Sequence, residues 1–473
     1  MLAVFERLVG KKKTPGDPDN DREVHLTSQI SKVVERLLGQ LFVPFLVKTV
    51  AYGPRQFAYS QGRGARDALL HPTLKWLRAL SNGRIVALFC SDVSGAFDRV
   101  PTSLLLSKLA RKGLHPLVLE VIRDWLNSRT ARVLVGGGSS SLFTILNSVF
   151  QGTVWGPILW NCFFEDSRHV ANCIGYEEIT YADDLNCFKE FDQATSDSTV
   201  LSDLRQCQAD LHRWGALNQV VFDPGEESFH ILHPQRAYGD SFKLLGVTFD
   251  TCLSMKDGLM VLAAQGHSRV QMVLRARRYY SEGETVQLYK AQVLSFLEHA
   301  TPAIHHAVPF HLAALDRVQE SFLEAMGISP RDALIKFKLA PLQTRRDIAL
   351  LGFLHRLAHQ TAPSCFSELF RFGEACAFVR RRHPPVHARQ IHDPIDGTQS
   401  RALERSVYGL IYTFNSLPAE IVEATDVATF QRHLQRAVIK ASDSHTVGEW
   451  WPLVLRDGVR KVSLQTLHEL FRK

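Results

Sequence analysis

The sequence predicts an α+β fold in two stretches, with strands and helices mixed up to about residue 250 and helices alone after it. Three observations carry that reading. Residues 85–90 form a continuous apolar run, the signature of a strand buried on both faces. Ile179-Thr180-Tyr181 and then Leu185, Cys187 and Phe188 flank Asp183-Asp184, so two strand-like segments reverse at a pair of carboxylates. From about Ser254 onward apolar residues recur at helical spacing and strand signals cease.

In chain order, residues 11–22 are a charged loop rich in Pro, Gly and Asp, ahead of a helix over 28–47. A second helix spans 65–80, with Leu70, Leu74 and Leu77 on one face, and Asn82-Gly83 breaks it before the buried strand. Pro101 opens a leucine-rich helix that Gly113 can end. Val118, Val121, Ile122 and Trp125 mark the next helix, and a hairpin follows over 131–147. Gly136-Gly137-Gly138 reads as its turn, because no strand–loop–helix context supports a phosphate-cradling loop. Leu201, Leu204, Leu211 and Trp214 define a helix after the acidic turn, followed by strands at 220–222, 229–232 and 244–249. In the helical remainder, a helix over 284–299 carries Val286, Tyr289, Val293 and Phe296 on one face, preceded by Arg275, Arg277 and Arg278.

At 473 residues the chain has room for about three domains of roughly 150 residues. Hydrophobic residues make up 45% and charged residues 22%, an ordinary globular balance. No apolar run approaches the ~20 residues of a membrane span, and Glu6 and Arg7 interrupt the apolar start where a secretory signal would need continuity. Eight cysteines occur without a C-x-x-C pair, which excludes a zinc knuckle by spacing and suits a reducing, intracellular setting. The net charge of +7 fits a partner that is a polyanion.

The chemistry-bearing residues fall in three places. Asp92 follows the buried strand directly, in Ser91-Asp92-Val93-Ser94-Gly95-Ala96-Phe97-Asp98. A carboxylate there suits a metal, and alone it also suits a helix N-cap. Asp183-Asp184 is the second place, and by itself such a pair also suits a surface turn. Between them lies Phe150-Gln151-Gly152-Thr153-Val154-Trp155-Gly156-Pro157, where Gly152 permits close backbone approach to a ligand and Pro157 starts a helix. Nucleotidyl transfer uses two magnesium ions about 3.5–4 Å apart. Hard, oxygen-seeking magnesium calls for carboxylates on different strands together with a backbone carbonyl. Asp92 and Asp183 are candidate bridging ligands, with the Val93 carbonyl beside them and Asp184 as a neighbouring ligand or electrostatic partner.

Taken in order, Asp92…Phe97-Asp98, Gln151-Gly152…Gly156-Pro157 and Tyr181-Ala182-Asp183-Asp184 resemble the A, B and C motifs of reverse transcriptases. The Gln-Gly-x-x-x-Gly-Pro form is most similar to the non-LTR (LINE-type) retrotransposon branch. Lys11 to Lys13 and Asn20 to Val24, with Lys32 and Glu35 downstream, resemble the first fingers motif, and Gln56-Phe57-Ala58-Tyr59 the second. Phe242 to Val247 resembles the primer-grip hairpin, with Leu245 and Gly246 as its candidate residues, and Trp214 and Asn218 match the D motif.

The resemblance implies a right-hand polymerase: fingers and palm with an antiparallel sheet over 1–250, a helical thumb over 251–345 and a C-terminal helical region over 346–473. It implies an RNA-directed DNA polymerase, a nucleotidyltransferase with RNA template, DNA primer and dNTPs as partners, no membrane, and two Mg2+ ions, Mn2+ being an alternative. Arg22, Val93, Phe97, Gln151 and Gly152 would meet the dNTP, Phe97 as the aromatic gate against a ribose 2′-hydroxyl. As a plain residue reading, Phe97 also suits a core position. The chain departs from the family pattern at several places. Glu226 stands where the D motif usually has Lys, Trp155 replaces an aliphatic residue, Glu23 a proline, and Tyr59-Ser60 an aromatic–basic pair. Glu226 and a start just before the first fingers motif motivate the alternative of a catalytically impaired fragment that only binds RNA or DNA.

Overall fold

The computed structural model describes residues 2–6, 22–127, 129–135, 137–372, 387–394 and 400–444, so Lys11, Lys12 and Lys13 lie outside the described residues. The chain forms two compact units. One comprises Met1–Gly64, Ala87–Lys189 and Thr195–Phe229, and the other Ala65–Val86, Glu190–Ala194 and His230–Lys473. The helix Ala65–Ser81 and the chain from His230 thus belong with the helical remainder.

The described strands, in chain order, are β1 (Leu2–Glu6), β2 (Arg22–Leu26), β3 (Ile85–Ser91), β4 (Thr130–Val135), β5 (Gly138–Ser139), β6 (Phe143–Thr144), β7 (Glu177–Tyr181), β8 (Asp184–Phe191), β9 (Ser228–Leu232), β10 (Phe242–Leu244) and β11 (Val247–Phe249). One sheet runs β2-β1-β4-β5, with β6 also on β4. In it β1 pairs antiparallel with β2 and parallel with β4. The sheet that matters for function runs β7-β8-β3-β9. All seven residues of β3 are buried, as its unbroken apolar run requires of an interior strand. The hairpin expected over 131–147 is present, with Val135 opposite Gly138.

Three sequence expectations change in detail. The helix over 28–47 is two helices, Gln29–Gly39 and Val43–Lys48, because Pro44 has no N–H for a continuous ladder and starts the second one instead. The segment 244–249, read from its apolar residues as one strand, is instead the hairpin that the resemblance implied, β10–β11, with Leu244 opposite Val247. Its two turn residues both take positive φ, Leu245 at 48° and Gly246 at 80°, the backbone that a two-residue hairpin of this hand demands. The helix expected over 284–299 is interrupted by a π-turn at Lys290–Leu294. Val286, Tyr289 and Val293 are buried as expected, but the extra residue per turn rotates the remainder of the helix, so Leu297 enters the core in place of Phe296. Phe296 instead lies under the Arg269 guanidinium, 4.0 Å from its ring centre.

Within the second unit the helix Lys256–Ala276 lies against β11. A Cβ on Gly258 would stand 2.1 Å from the Thr248 carbonyl oxygen, closer than any side chain tolerates. Farther along the same helix, Gly266 admits Val318 of the helix Pro309–Met326 and Leu297 at 3.1 Å from its would-be Cβ. Tyr289 and Phe322 stack at 4.1 Å, and Trp76 meets Phe242 and Phe249 edge-on. Buried charge is paired: His305 with Asp347 at 2.7 Å and Arg356 with Asp67 at 3.0 Å. Gly258→Ala is therefore expected to destabilise this unit by about 1–3 kcal/mol, the usual range for overpacking. A urea unfolding curve checks it, with Gly283→Ala, whose added methyl meets nothing within 4 Å, as the variant that leaves the midpoint unchanged or raises it.

Candidate active site

Asp184 is the first residue of β8 and pairs with Tyr181, so Ala182 and Asp183 alone make the turn. Ala182 takes φ 59°, a conformation costly for any residue with a Cβ. Three hydrogen bonds hold it there. The Gln56 side chain accepts from the Ala182 N–H at 3.0 Å and donates to the Ala182 carbonyl at 3.3 Å, and the Trp160 indole donates to that carbonyl at 2.9 Å. Gln56 is fixed in turn. Its side-chain oxygen also accepts from Ala58 N–H, and its backbone forms a parallel bridge to Thr180. The acidic turn is thus built by residues from three separate parts of the chain.

Asp92 follows directly on β3, the strand beside β8. Its backbone carbonyl accepts from Asp223 N–H, and Ser94 N–H donates to Val221, so residues 92–94 are held against 221–223 on both sides of Val93. Neither bond uses the Val93 carbonyl, and one Asp92 carboxylate oxygen accepts from Val93 N–H at 2.9 Å. Burial, and after it the Asp183 charge, pushes the Asp92 carboxyl above the usual carboxylate range, with Glu226 and Asp223 adding to the push. Asp184 is pushed up to about 7 by burial, then by Asp92, Asp183 and Glu226. Asp92, Asp183, Asp184, Asp223 and Glu226 therefore share one strongly negative locality. Among the described residues no three His, Cys, Asp or Glu side chains close into a cage that holds a metal by protein ligands alone.

Phe97 is buried, stacked on Trp160 at 5.7 Å and edge-on to Tyr59 at 6.2 Å. Burial and the nearby Asp183 charge raise the Tyr59 hydroxyl pKa, so a run of aromatic rings leads from Phe97 to the acidic turn. Val149 N–H donates to the Phe97 carbonyl, and Ser148 Oγ donates to Asp98 at 3.4 Å, joining this segment to the loop that carries Gln151 and Gly152. Gln151 and Gly152 are exposed. Gly152 has φ 78°, and a Cβ there would meet the His25 carbonyl at 3.1 Å. Gly156 has no room for a side chain either, the Val149 and Phe150 carbonyls lying 2.4 and 2.6 Å from a built Cβ.

Glu35 secures the far side of that loop. It is 1% exposed. Its carboxylate accepts from Val154 N–H at 2.6 Å and from the Trp125 indole and the Ser31 hydroxyl, each at 3.1 Å. The Trp155 indole donates to the Glu35 carbonyl at 2.6 Å, which gives the unusual Trp155 a structural purpose. Arg22 lies on β2, but its side chain is outside the described residues. Leu245 and Gly246 belong to the second unit, where His299 Nε2 bonds the Leu245 carbonyl at 2.9 Å. The sequence alone does not mark Gln56, Trp160 or Glu35 for these roles. The available signals were a lone indole in an otherwise apolar helix and polar side chains between aromatic ones.

Residues 10–224 match the family described as reverse transcriptase (RNA-dependent DNA polymerase). The chain carries a reverse-transcriptase domain. Around this domain the chain is 25% identical over 340 residues to the RNA-directed DNA polymerase from mobile element jockey of Drosophila melanogaster, covering 67% of this chain and 37% of that protein. It is 28% identical over 203 residues to the probable RNA-directed DNA polymerase from transposon BS of the same organism, covering 40% of this chain and 22% of that one. Its matched part thus spans well under half the length of either relative. Both relatives are named as RNA-directed DNA polymerases of mobile elements. A solved telomerase from Candida tropicalis with a fragment of telomeric RNA shares 10% identity and a TM-score of 0.37, over 92% of this chain and 57% of that one. Among the described residues, no helix is long and apolar enough to cross a membrane.

Two measurements check this geometry. Glu35→Ala leaves buried donors on Val154 and Trp125 without an acceptor and is expected to cost about 2–3 kcal/mol in chemical denaturation, Glu35→Gln less. For pH, the folded Asp184 carboxyl titrates near 7 against an ordinary value of 3.8, so between them the folded state binds more protons than the unfolded one. In chelator-treated buffer, stability is expected to fall as pH rises through that window, and Asp184→Asn should flatten the fall in melts between pH 4 and 8.

Proposed function

We propose that this chain is the polymerase of a non-LTR retrotransposon, an RNA-directed DNA polymerase that adds dNTPs to a primer 3′-hydroxyl along an RNA template. The gathering of Asp92, Asp183 and Asp184 at the ends of adjacent strands, inside a reverse-transcriptase domain, carries the reading. The donor set fits a hard divalent cation. Mutually repelling carboxylates and an uncommitted carbonyl at Val93 favour one, and magnesium characteristically completes its shell with water and substrate phosphates instead of a full protein cage. Asp92, Asp183 and the Val93 carbonyl would hold it, with Asp184 beside them, and Mg2+ or Mn2+ bound there would acidify the 3′-hydroxyl and offset triphosphate charge.

The remaining roles belong to the chain itself. Phe97, fixed between Tyr59 and Trp160, would close the space that a ribose 2′-hydroxyl needs. Gln151 and Gly152, exposed on a loop tied at both ends, would receive the incoming nucleotide, and Arg22 would pair with its triphosphate. Leu245 and Gly246 would support the primer strand. In functional terms we divide the chain into fingers and palm over 1–250, thumb over 251–345 and a C-terminal helical region over 346–473.

Glu226 favours a second reading, a remnant that binds RNA or DNA without extending a primer. Its negative charge already raises both Asp92 and Asp184, and a carboxylate there repels pyrophosphate instead of donating a proton to it. Primer extension on an oligoribonucleotide template with Mg2+ and dNTPs separates the two. The polymerase reading expects incorporation that Asp183→Ala lowers by about 10³-fold, on the order of 4 kcal/mol of barrier, and greater rNTP use in Phe97→Val. Extension that survives Asp183→Ala overturns the assigned site, and tight RNA binding without any extension supports the remnant.

A further inference from the structure

The second unit carries a cleft whose chemistry the proposed reaction does not use. The segment 280–291 and the strip Lys336-Phe337-Lys338 enclose an open cavity of about 840 Å³. A smaller cavity of about 90 Å³ shares Lys338 and adds Arg66 and Arg345. Five cationic side chains line the two, against Glu284 and Glu298. Both carboxylates are engaged, Glu284 in the capping box of Ser281 and Glu298 with Arg345. Lys336 faces Asp332 at 3.2 Å in an exposed pair of the kind that contributes little. Positive charge therefore dominates the cleft.

Its walls are also irregular in a directed way. Lys338 holds φ 53°, a strained conformation for a side-chain-bearing residue. Lys290, which opens the π-turn, donates its ammonium to the Phe337 carbonyl and so pins the strip to the facing helix. Burial, with Arg345 and Lys338 nearby, lowers the Lys290 pKa, so these cations stand close enough to oppose one another. Tyr280 is exposed and Phe337 half-buried, which puts two aromatic rings among the lysines. Cations that follow a backbone, interleaved with aromatic faces, suit a strand whose bases are unstacked, because a duplex keeps its base faces covered.

We propose that this cleft binds an unpaired RNA strand, with phosphates on Lys336 and Lys338 and bases against Phe337 and Tyr280. The choice of RNA rests on the proposed function, in which the template is the strand that stays single before copying. The test uses the whole chain and a fluorescein-labelled RNA 12-mer, with excess primer–template duplex present to occupy the polymerase site. Lys336→Gln/Lys338→Gln is expected to weaken binding about tenfold and to reduce the salt slope by about 1.4, two phosphates at roughly 0.7 each. Phe337→Ala is expected to weaken it about tenfold with the slope unchanged. Extension on a short template should remain at the parent level in the double variant, whose substituted side chains are both exposed. Unchanged RNA affinity and slope overturn the proposal, as does an equal loss on blunt duplex DNA or a DNA 12-mer that binds better than RNA. RNA binding that responds to these substitutions in a chain without extension activity upholds the cleft while removing the polymerase reading.

Discussion

The acidic turn depends on one amide. Gln56 meets both the N–H and the carbonyl of Ala182, and so holds in place a residue whose backbone conformation is intrinsically unfavourable. Reversing the amide would oppose donor to donor and acceptor to acceptor at three positions, so the side chain is oriented as well as placed. Trp160 adds a further donor to the same carbonyl, and its ring also supports Phe97. The carboxylate turn and the Phe97 ring are thereby positioned by the same buried side chains.

Holding several carboxylates together is unfavourable without a counter-charge, and the fold meets that cost with backbone. Asp92 is fixed through its carbonyl and through Val93, not through a salt bridge that would neutralise it. The charge remains available to a ligand and the strand end stays rigid. Glu35 works in the opposite sense on the neighbouring loop. Its carboxylate is buried and tied to three donors, so that charge is used for architecture and is closed to chemistry. Two acids of similar type thus serve different ends, decided by whether their oxygens are already engaged.

Much of this was legible in the sequence, for physical reasons that differ by element. The apolar run at β3 and the reversal at Asp183-Asp184 could be read directly, because burial on both faces and a two-residue turn leave strong local marks. The order of motifs singled out Phe97, Gln151 and Gly152, but not the bond from Val149 to the Phe97 carbonyl that joins their two segments. The Gln56–Ala182 and Glu35–Val154 contacts were not legible, since each joins residues more than a hundred positions apart and nothing local distinguishes a bonded Gln from a solvated one. Helix interruptions were similarly hidden. The π-turn at Lys290–Leu294 keeps an ordinary apolar spacing up to Val293 and departs from it only afterwards.

That interruption has a bearing on evolution of the chain by insertion and deletion. His299, which holds the Leu245 turn, lies beyond the inserted residue, so the direction it faces is set by the length of the helix before it. Regularising the π-turn at unchanged chain length would rotate the distal segment by about 100°, the angle per residue of a regular helix. Leu297 would leave the core, Phe296 would enter it, and His299 would turn from the hairpin without any change to the hairpin's own sequence. The position of the Leu245-Gly246 turn is therefore encoded partly in a residue count fifty positions away, a dependence that substitution scanning of the hairpin would never reveal.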